Sequence, residues 1–241
     1  MVPIPLAHRG WWWPEPRRQN TPPAFLAAAR AGYGLELDVR FTAPSAGQGA
    51  PQAPPARICI AHGRDGPAWP AEDILPALCS APALAWNLKD LQAPPGLAEF
   101  LEKHGLRDKS VVFDQELLAG MGIERRLLDR RLAELGLPHL ARASGHHEGD
   151  GLALALVHPT AAGVWLDCNG TDWVTPTVLA ACRGAGKASY VVSPELHGRP
   201  LDLALWVAWQ AADGICTDFP HLLAAWDAGA PLEPVDPWWA P

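Results

Sequence analysis

Four short clusters in this sequence carry residue types capable of polar chemistry: His8-Arg9, Glu36-Leu37-Asp38, Ile60-Ala61-His62 and Asn87-Leu88-Lys89. A histidine exchanges its proton near neutral pH, which suits it to general acid or base work. An arginine beside it offers a fork of donors matched to phosphate. Glu36 and Asp38 are two residues apart, so on a strand both project to one face while Leu35, Leu37 and Val39 take the other. Neighbouring carboxylates repel, and a hard divalent cation such as Mg²⁺ or Ca²⁺ relieves that cost. Asn87 and Lys89 share a face by the same spacing. Lys89 can sit over a phosphate, lower a carboxylate pKa, or extend to solvent. Taken singly, a strand-end histidine is more often structural, and an isolated Glu-x-Asp more often a solvated strand end.

The elements that must position these residues are short. Eight apolar runs read as strands: 4–8, 35–39, 84–88, 111–114, 139–142, 164–167, 189–192 and 215–218. The segments between most of them carry helix signals. Thr21 is placed to cap a helix over 22–31, Gly105 and Gly136 to end helices over 94–104 and 116–135, and Gly184 to end one over 175–183. Leu and Trp recur at helical spacing over 200–212. Strand–helix alternation marks parallel βα units, and 241 residues lie near the ~250 typical of a (β/α)8 barrel. The sequence therefore predicts an α/β fold, a (β/α)8 TIM-type barrel in one domain spanning 1–241, with its site at the C-terminal strand ends. Two stretches break the rhythm. Residues 42–55 are too rich in Gly and Pro for a crossover helix, and a ninth apolar run follows at 57–61. This predicts a hairpin excursion after the second strand that returns His62 to the strand ends. Residues 144–160 read as a loop followed by a short helix.

Bulk composition narrows the classes. Hydrophobic residues are 49% and charged residues 19% of the chain, enough apolar material for a core without staples. A net charge of −7 disfavours nucleic acid as a partner. The five cysteines, Cys59, Cys79, Cys168, Cys182 and Cys216, include no Cys-x-x-Cys pair. They read as free thiols of a reducing compartment. No basic start followed by an apolar run opens the sequence, and no run of ~18 apolar residues occurs. The expectation is a cytoplasmic protein with no transmembrane segment.

Order and spacing add more than any cluster alone. His8-Arg9-Gly10, then Asn20-Thr21 with Ala24-Phe25, then Gly34-x-Glu36-x-Asp38-Val39, then an apolar run into His62, resembles the glycerophosphodiester phosphodiesterase family. Asp213-Gly214-Ile215-Cys216-Thr217-Asp218-Phe219-Pro220 looks like that family's last strand. Residues 163–167 and 192–199 look like a divergent bacterial branch related to phosphatidylinositol-specific phospholipase C-like phosphodiesterases. The resemblance covers nearly the whole chain and is most specific over 6–40 and 213–220. It implies hydrolysis of glycerophosphodiesters or related lipid headgroup diesters. His8 and His62 would be the acid–base pair, Arg9 the phosphate ligand, and Glu36 and Asp38 the metal ligands. A substrate hydroxyl would attack phosphorus.

Three departures qualify that picture. Gln19 stands where the family has Glu before Asn-Thr, Asn87 where it has Glu two residues before Lys, and Gly63 where Asp follows the second His. The metal site loses two carboxylates, and neutral carbonyl oxygens bind a hard cation less tightly. The expected site therefore comprises His8 and His62 as catalysts and Arg9 and Lys89 on the substrate. A divalent metal, Mg or Ca, would rest on Glu36, Asp38, Asn87 and, as replacement charge, Asp114. Asp65 is a second replacement. Two other readings stand beside this one: a phospholipase C-like cyclising enzyme with little metal dependence, and a non-catalytic barrel that binds a phosphorylated small molecule. Trp11, Trp12 and Trp13 form either a packed lid over the barrel mouth or a rim making transient lipid contact. His146-His147-Glu148 is a weaker metal-type set in a Gly-rich loop.

Overall fold

A computed structural model describes residues 2–42, 57–63, 66–119, 123–145 and 151–229. Asp65 and His146-His147-Glu148 lie outside them. The strands are β1 (Ile4–His8), β2 (Gly34–Thr42), β3 (Arg57–Ile60), β4 (Trp69–Pro70), β5 (Leu84–Leu88), β6 (Ser110–Phe113), β7 (Leu140–Ser144), β8 (Gly163–Asp167), β9 (Ala188–Val192) and β10 (Gly214–Thr217). All eight predicted strands are present. β5 and β8 are buried at every position, as near-continuous apolar strands covered on both faces must be.

The parallel strands follow the path β6-β5-β2-β1-β10-β9-β8-β7. β3 and β4 form an antiparallel excursion from β2, with Val39 opposite Ile60 and Arg40 opposite Cys59. The hairpin expected from the breaker-rich 42–55 stretch is thus observed. The sheet curls strongly. Phe113 on β6 stacks on Trp165 on β8 with ring centroids 3.8 Å apart, although the path places these strands near opposite ends. Leu6, Ala85, Phe113, Leu140, Trp165, Val192 and Cys216, from seven different strands, meet in one apolar cluster.

Between the path's two ends, β6 and β7, the backbone makes an isolated parallel bridge, Val112 to His139, with Val112 N–H donating to Pro138 O at 2.8 Å. Side chains from the segment after β6 serve other β7 groups. Gln115 Nε2 donates to Leu140 O at 3.1 Å, and Glu116 Oε1 accepts from Arg142 N at 2.8 Å. Buried backbone groups must find partners somewhere, and here side chains replace a ladder.

The helices are α1 (Pro22–Arg30), α2 (Leu75–Ser80), α3 (Ala93–Lys103), α4 (Gln115–Ala119), α5 (Arg125–Glu134), α6 (Leu152–Leu156), α7 (Pro176–Gly184), α8 (Leu203–Ala208) and α9 (Pro220–Asp227). Three helix expectations need correction. The single helix over 116–135 is two, α4 and α5, and Gly120-Met121-Gly122 in the sequence is a poor helical stretch. The helix over 200–212 shrinks to α8, because Asp202 caps it by accepting from Ala204 N at 2.8 Å. Thr21 precedes α1, but its hydroxyl donates to Arg18 O at 2.7 Å and does not cap. No helix among the described residues is long and apolar enough to cross a membrane.

Candidate active site

β1 delivers His8 to the C-terminal strand ends, and the chain then turns sharply. Arg9 (φ 57°), Gly10 (φ 86°) and Asn20 (φ 53°) all lie in the left-handed region, and Asn20 N–H donates to Arg9 O at 2.9 Å. Non-glycine residues held there carry strain, which clusters at functional sites. Gly10 has no alternative: a Cβ would come within 2.8 Å of the Ala24 carbonyl carbon. The tryptophan run after this turn packs inward. Trp12 is buried and donates from Nε1 to His8 O at 3.1 Å. Trp11 lies against Tyr33 and His221, and Trp13 against Phe219.

His8 Nδ1 sits 2.7 Å from Asp218 Oδ1, just beyond β10. Burial lowers the affinity of His8 for its proton, but the Asp218 charge and hydrogen bond, with Glu36 adding, outweigh it and raise the pKa. Asp218 thereby fixes the proton on Nδ1 and leaves Nε2 for chemistry. Behind Asp218 lies the buried Glu195. It accepts from Thr217 Oγ1 and Asp218 N on one oxygen and from Ser193 Oγ on the other.

β2 brings Glu36 and Asp38 to the same end, both buried. They have different surroundings. Glu36 Oε2 accepts from Arg9 N at 3.2 Å, and burial, with the Asp38 charge, pushes its carboxyl pKa up. Asp38 is surrounded by donors and cations: Asn20 Nδ2 at 3.0 Å, His62 Nδ1 at 2.8 Å, Arg9 Nε at 3.1 Å and Lys89 Nζ at 3.0 Å. Burial alone would raise its pKa, but His62, Lys89 and Arg9 together hold it well below the ordinary carboxylate range. Arg9 also donates to Gln19 Oε1 at 3.1 Å and lies 2.9 Å, through NH2, from His62 Nδ1. A guanidinium only donates, so Nδ1 of His62 either accepts from Arg9 or donates to Asp38, never both at once.

The expected residues thus separate into two groups. His8, Arg9, Glu36, Asp38, His62 and Lys89 converge. Asp114 belongs to a second, buried network at the ends of β6, β7 and β8. Arg142 reaches Asp114 Oδ1 at 2.9 Å and Asp167 Oδ2 at 2.6 Å, and His197 Nε2 lies 2.6 Å from Asp167 Oδ1. Asp114 is itself left-handed, with φ 66°.

The four oxygen donors expected for a metal do not fit one in this arrangement. Asn87 Oδ1 is buried without a hydrogen-bond partner and Glu36 is available, but Asp38 already faces Arg9 and Lys89, and Asp114 is tied to Arg142, which it shares with Asp167. A divalent ion beside Asp38 would have to meet Arg9 and Lys89. Among the described residues, a different trio brings three ligand-type atoms within 4.8 Å of one another: Asp129, His139 and His158. The tautomer of His158 opposes metal there. Its Nδ1 accepts from Ala161 N at 3.1 Å, so Nε2 carries the hydrogen that faces Asp129 at 2.9 Å.

Sequence reasoning gave no role to Asp218, Glu195, Arg142, Asp167 or His197. The visible signal for Arg142 was a lone Arg inside the apolar run Leu140-Ala141-Arg142-Ala143, since a charge buried in a strand requires partners.

No protein-family model matches the chain, and no curated protein matches it. Solved structures do. A proposed glycerophosphodiester phosphodiesterase from Galdieria sulphuraria aligns over 95% of this chain and 98% of its own, with a TM-score of 0.68 and 14% identity. The glycerophosphoryl diester phosphodiesterase domain of an uncharacterized Mycobacterium tuberculosis protein aligns over 95% and 100%, with a TM-score of 0.59 and 14% identity. The chain shares the fold of both.

Proposed function

We propose that this chain is a phosphodiester hydrolase acting on glycerophosphodiesters or related lipid headgroup diesters, from one domain built as a (β/α)8 barrel. Barrel closure is supported by the Val112–His139 bridge and the Phe113–Trp165 stack. The observation that carries the function is the placing of His8, oriented by Asp218, and His62 around the cations Arg9 and Lys89 at one strand-end mouth. Arg9 and Lys89 neutralise the phosphodiester. One imidazole takes the proton of the attacking hydroxyl as the new P–O bond forms. The other gives a proton to the departing alkoxide as the old P–O bond breaks. Whether the nucleophile is a substrate hydroxyl or water decides between cyclic and open product.

The charge balance around Asp38 favours the reading with little metal dependence over the divalent-metal one, since the cations a phosphodiester needs are already protein side chains. The five free cysteines support a reducing, cytoplasmic setting. Any lipid contact falls to the partly buried Trp11 and Trp13, because Trp12 is buried. The test is turnover of a glycerophosphodiester and of bis(p-nitrophenyl) phosphate, with and without EDTA. Turnover that survives EDTA supports this reading. No turnover under any metal condition supports the barrel that only binds a phosphorylated small molecule.

A further inference from the structure

Asp218 stands one residue past β10 and at the entry to α9, where a carboxylate on a short turn has several rotamers and no strand ladder to hold it. Its N–H donates to Glu195 Oε1 at 3.2 Å, and the preceding Thr217 Oγ1 donates to the same oxygen at 2.5 Å. Ser193 Oγ donates to Glu195 Oε2 at 2.5 Å. Neither hydroxyl has its hydrogen to spare elsewhere. Ser193 Oγ already accepts from Trp206 Nε1 at 3.2 Å, and Thr217 Oγ1 from Phe219 N at 3.0 Å. Each hydroxyl therefore turns its own hydrogen to Glu195, which meets three donors and must accept from all of them. An ionised carboxylate does that as it stands, whereas a carboxamide would turn its NH₂ toward one of these oxygens and force that hydroxyl to reorient and accept instead.

Keeping a carboxylate here is costly. Glu195 is buried, and burial, then the Asp218 charge, push its pKa up to about 7. A tie between β9 and β10 needs only a neutral acceptor, so repulsion between two acids calls for a reason beyond cohesion.

We infer that Glu195 is the positioning residue for the Asp218–His8 pair, clamping the Thr217-Asp218 backbone so that the Asp218 carboxylate stays aligned on His8 Nδ1. The inference deepens the proposed phosphodiester chemistry and rests on it for its kinetic consequence. Its structural content stands without substrate.

The experiment is ¹H–¹⁵N NMR of ring-¹⁵N-histidine protein at about pH 8, above the range in which burial holds the Glu195 proton. The His8 Nδ1–H resonance, assigned by its loss in His8→Gln, should appear far downfield in the wild type. Glu195→Gln should move it upfield or broaden it away while thermal unfolding stays cooperative. Its kcat should fall roughly tenfold or more at nearly unchanged KM. If Glu195→Gln does not fold, Thr217→Val removes one donor from the same oxygen and should move the resonance in the same direction. An unmoved resonance in whichever folded variant is measured overturns the inference. A moved resonance with no turnover in the wild type keeps the positioning role and removes the hydrolase reading. An unmoved one with normal turnover does the reverse.

Discussion

Lys89 Nζ lies 3.0 Å from Asp38 Oδ1, so one of the two strand acids expected to hold a metal is neutralised by the chain's own cation. With Arg9 Nε at 3.1 Å from the other oxygen, this carboxylate carries two cations. The pair leaves positive charge over for an anionic guest, which is what the phosphate of a diester requires.

Chelation should therefore leave turnover within about twofold of the untreated protein, because cationic side chains supply the charge stabilisation. Lys89→Met should weaken substrate binding and raise KM. Activity abolished by EDTA and restored by Mg²⁺ or Ca²⁺ would contradict the charge argument. It would mean that Arg9 and Lys89 leave Asp38 when metal arrives.

His8→Ala and His62→Ala should each lower kcat by roughly two to four orders of magnitude, the usual range for a positioned acid or base. The double variant should fall less than the product of the two, since both groups serve one transition state. The measurement is steady-state turnover of a glycerophosphodiester by purified, folded variants. Full activity in either single variant would exclude that imidazole from the chemistry.

Glu116 should make stability depend on pH. Burial raises its pKa from 4.5 to about 7, so the folded state keeps a proton that the unfolded chain releases. A raised folded pKa gives stability that is fully present below the unfolded value and is lost as pH rises through the folded one. By linkage the loss is at most on the order of 3 kcal/mol. Urea unfolding of wild type and Glu116→Gln should diverge with pH, the wild type losing ground to the variant as pH climbs from 4.5 to about 7. A constant difference across that window would show that Arg125 and Arg142 N–H keep Glu116 ionised throughout.

Gly10→Ala should destabilise the protein by roughly 1–3 kcal/mol, the cost of a strained backbone position. Its φ of 86° disfavours any side chain, and the new Cβ would press on the Ala24 backbone. Because Arg9 precedes it directly, kcat should fall more than unfolding alone explains. Unchanged denaturation midpoint and activity would show that the turn adapts freely.

Much of the fold was readable because the parallel strands of an α/β sheet are short, apolar and punctuated by turn residues, and the eight runs show that pattern. The β2–β3 hairpin was readable because prolines and glycines exclude a crossover helix. Helix ends were less so. Asp202 caps α8 where a Leu/Trp periodicity suggested an earlier start, and the Leu and Arg spacing over 116–135 outweighs the glycines within it, so that α4 and α5 read as one helix. For the site, period-two spacing put Glu36 and Asp38 on one face of β2, where each feels the other's charge. What it could not give was charge partnership across distant strands. Nothing local to Asp114 says that Arg142, 28 residues on, will occupy it. Nothing local to His8 says that its partner is Asp218, 210 residues away.

The contact between β6 and β7 has a mechanical meaning. Parting any other neighbouring parallel pair breaks a run of ladder bonds, whereas here one backbone bridge and a few polar side chains would have to let go. A sheet held there by so little should part there first. Amide deuteration should therefore be faster at Val112 and Arg142 than within the ladders of the other parallel pairs, and opening would begin beside Asp114 and Arg142. The place that interrupts the sheet's continuity is where two strands can part without breaking a ladder.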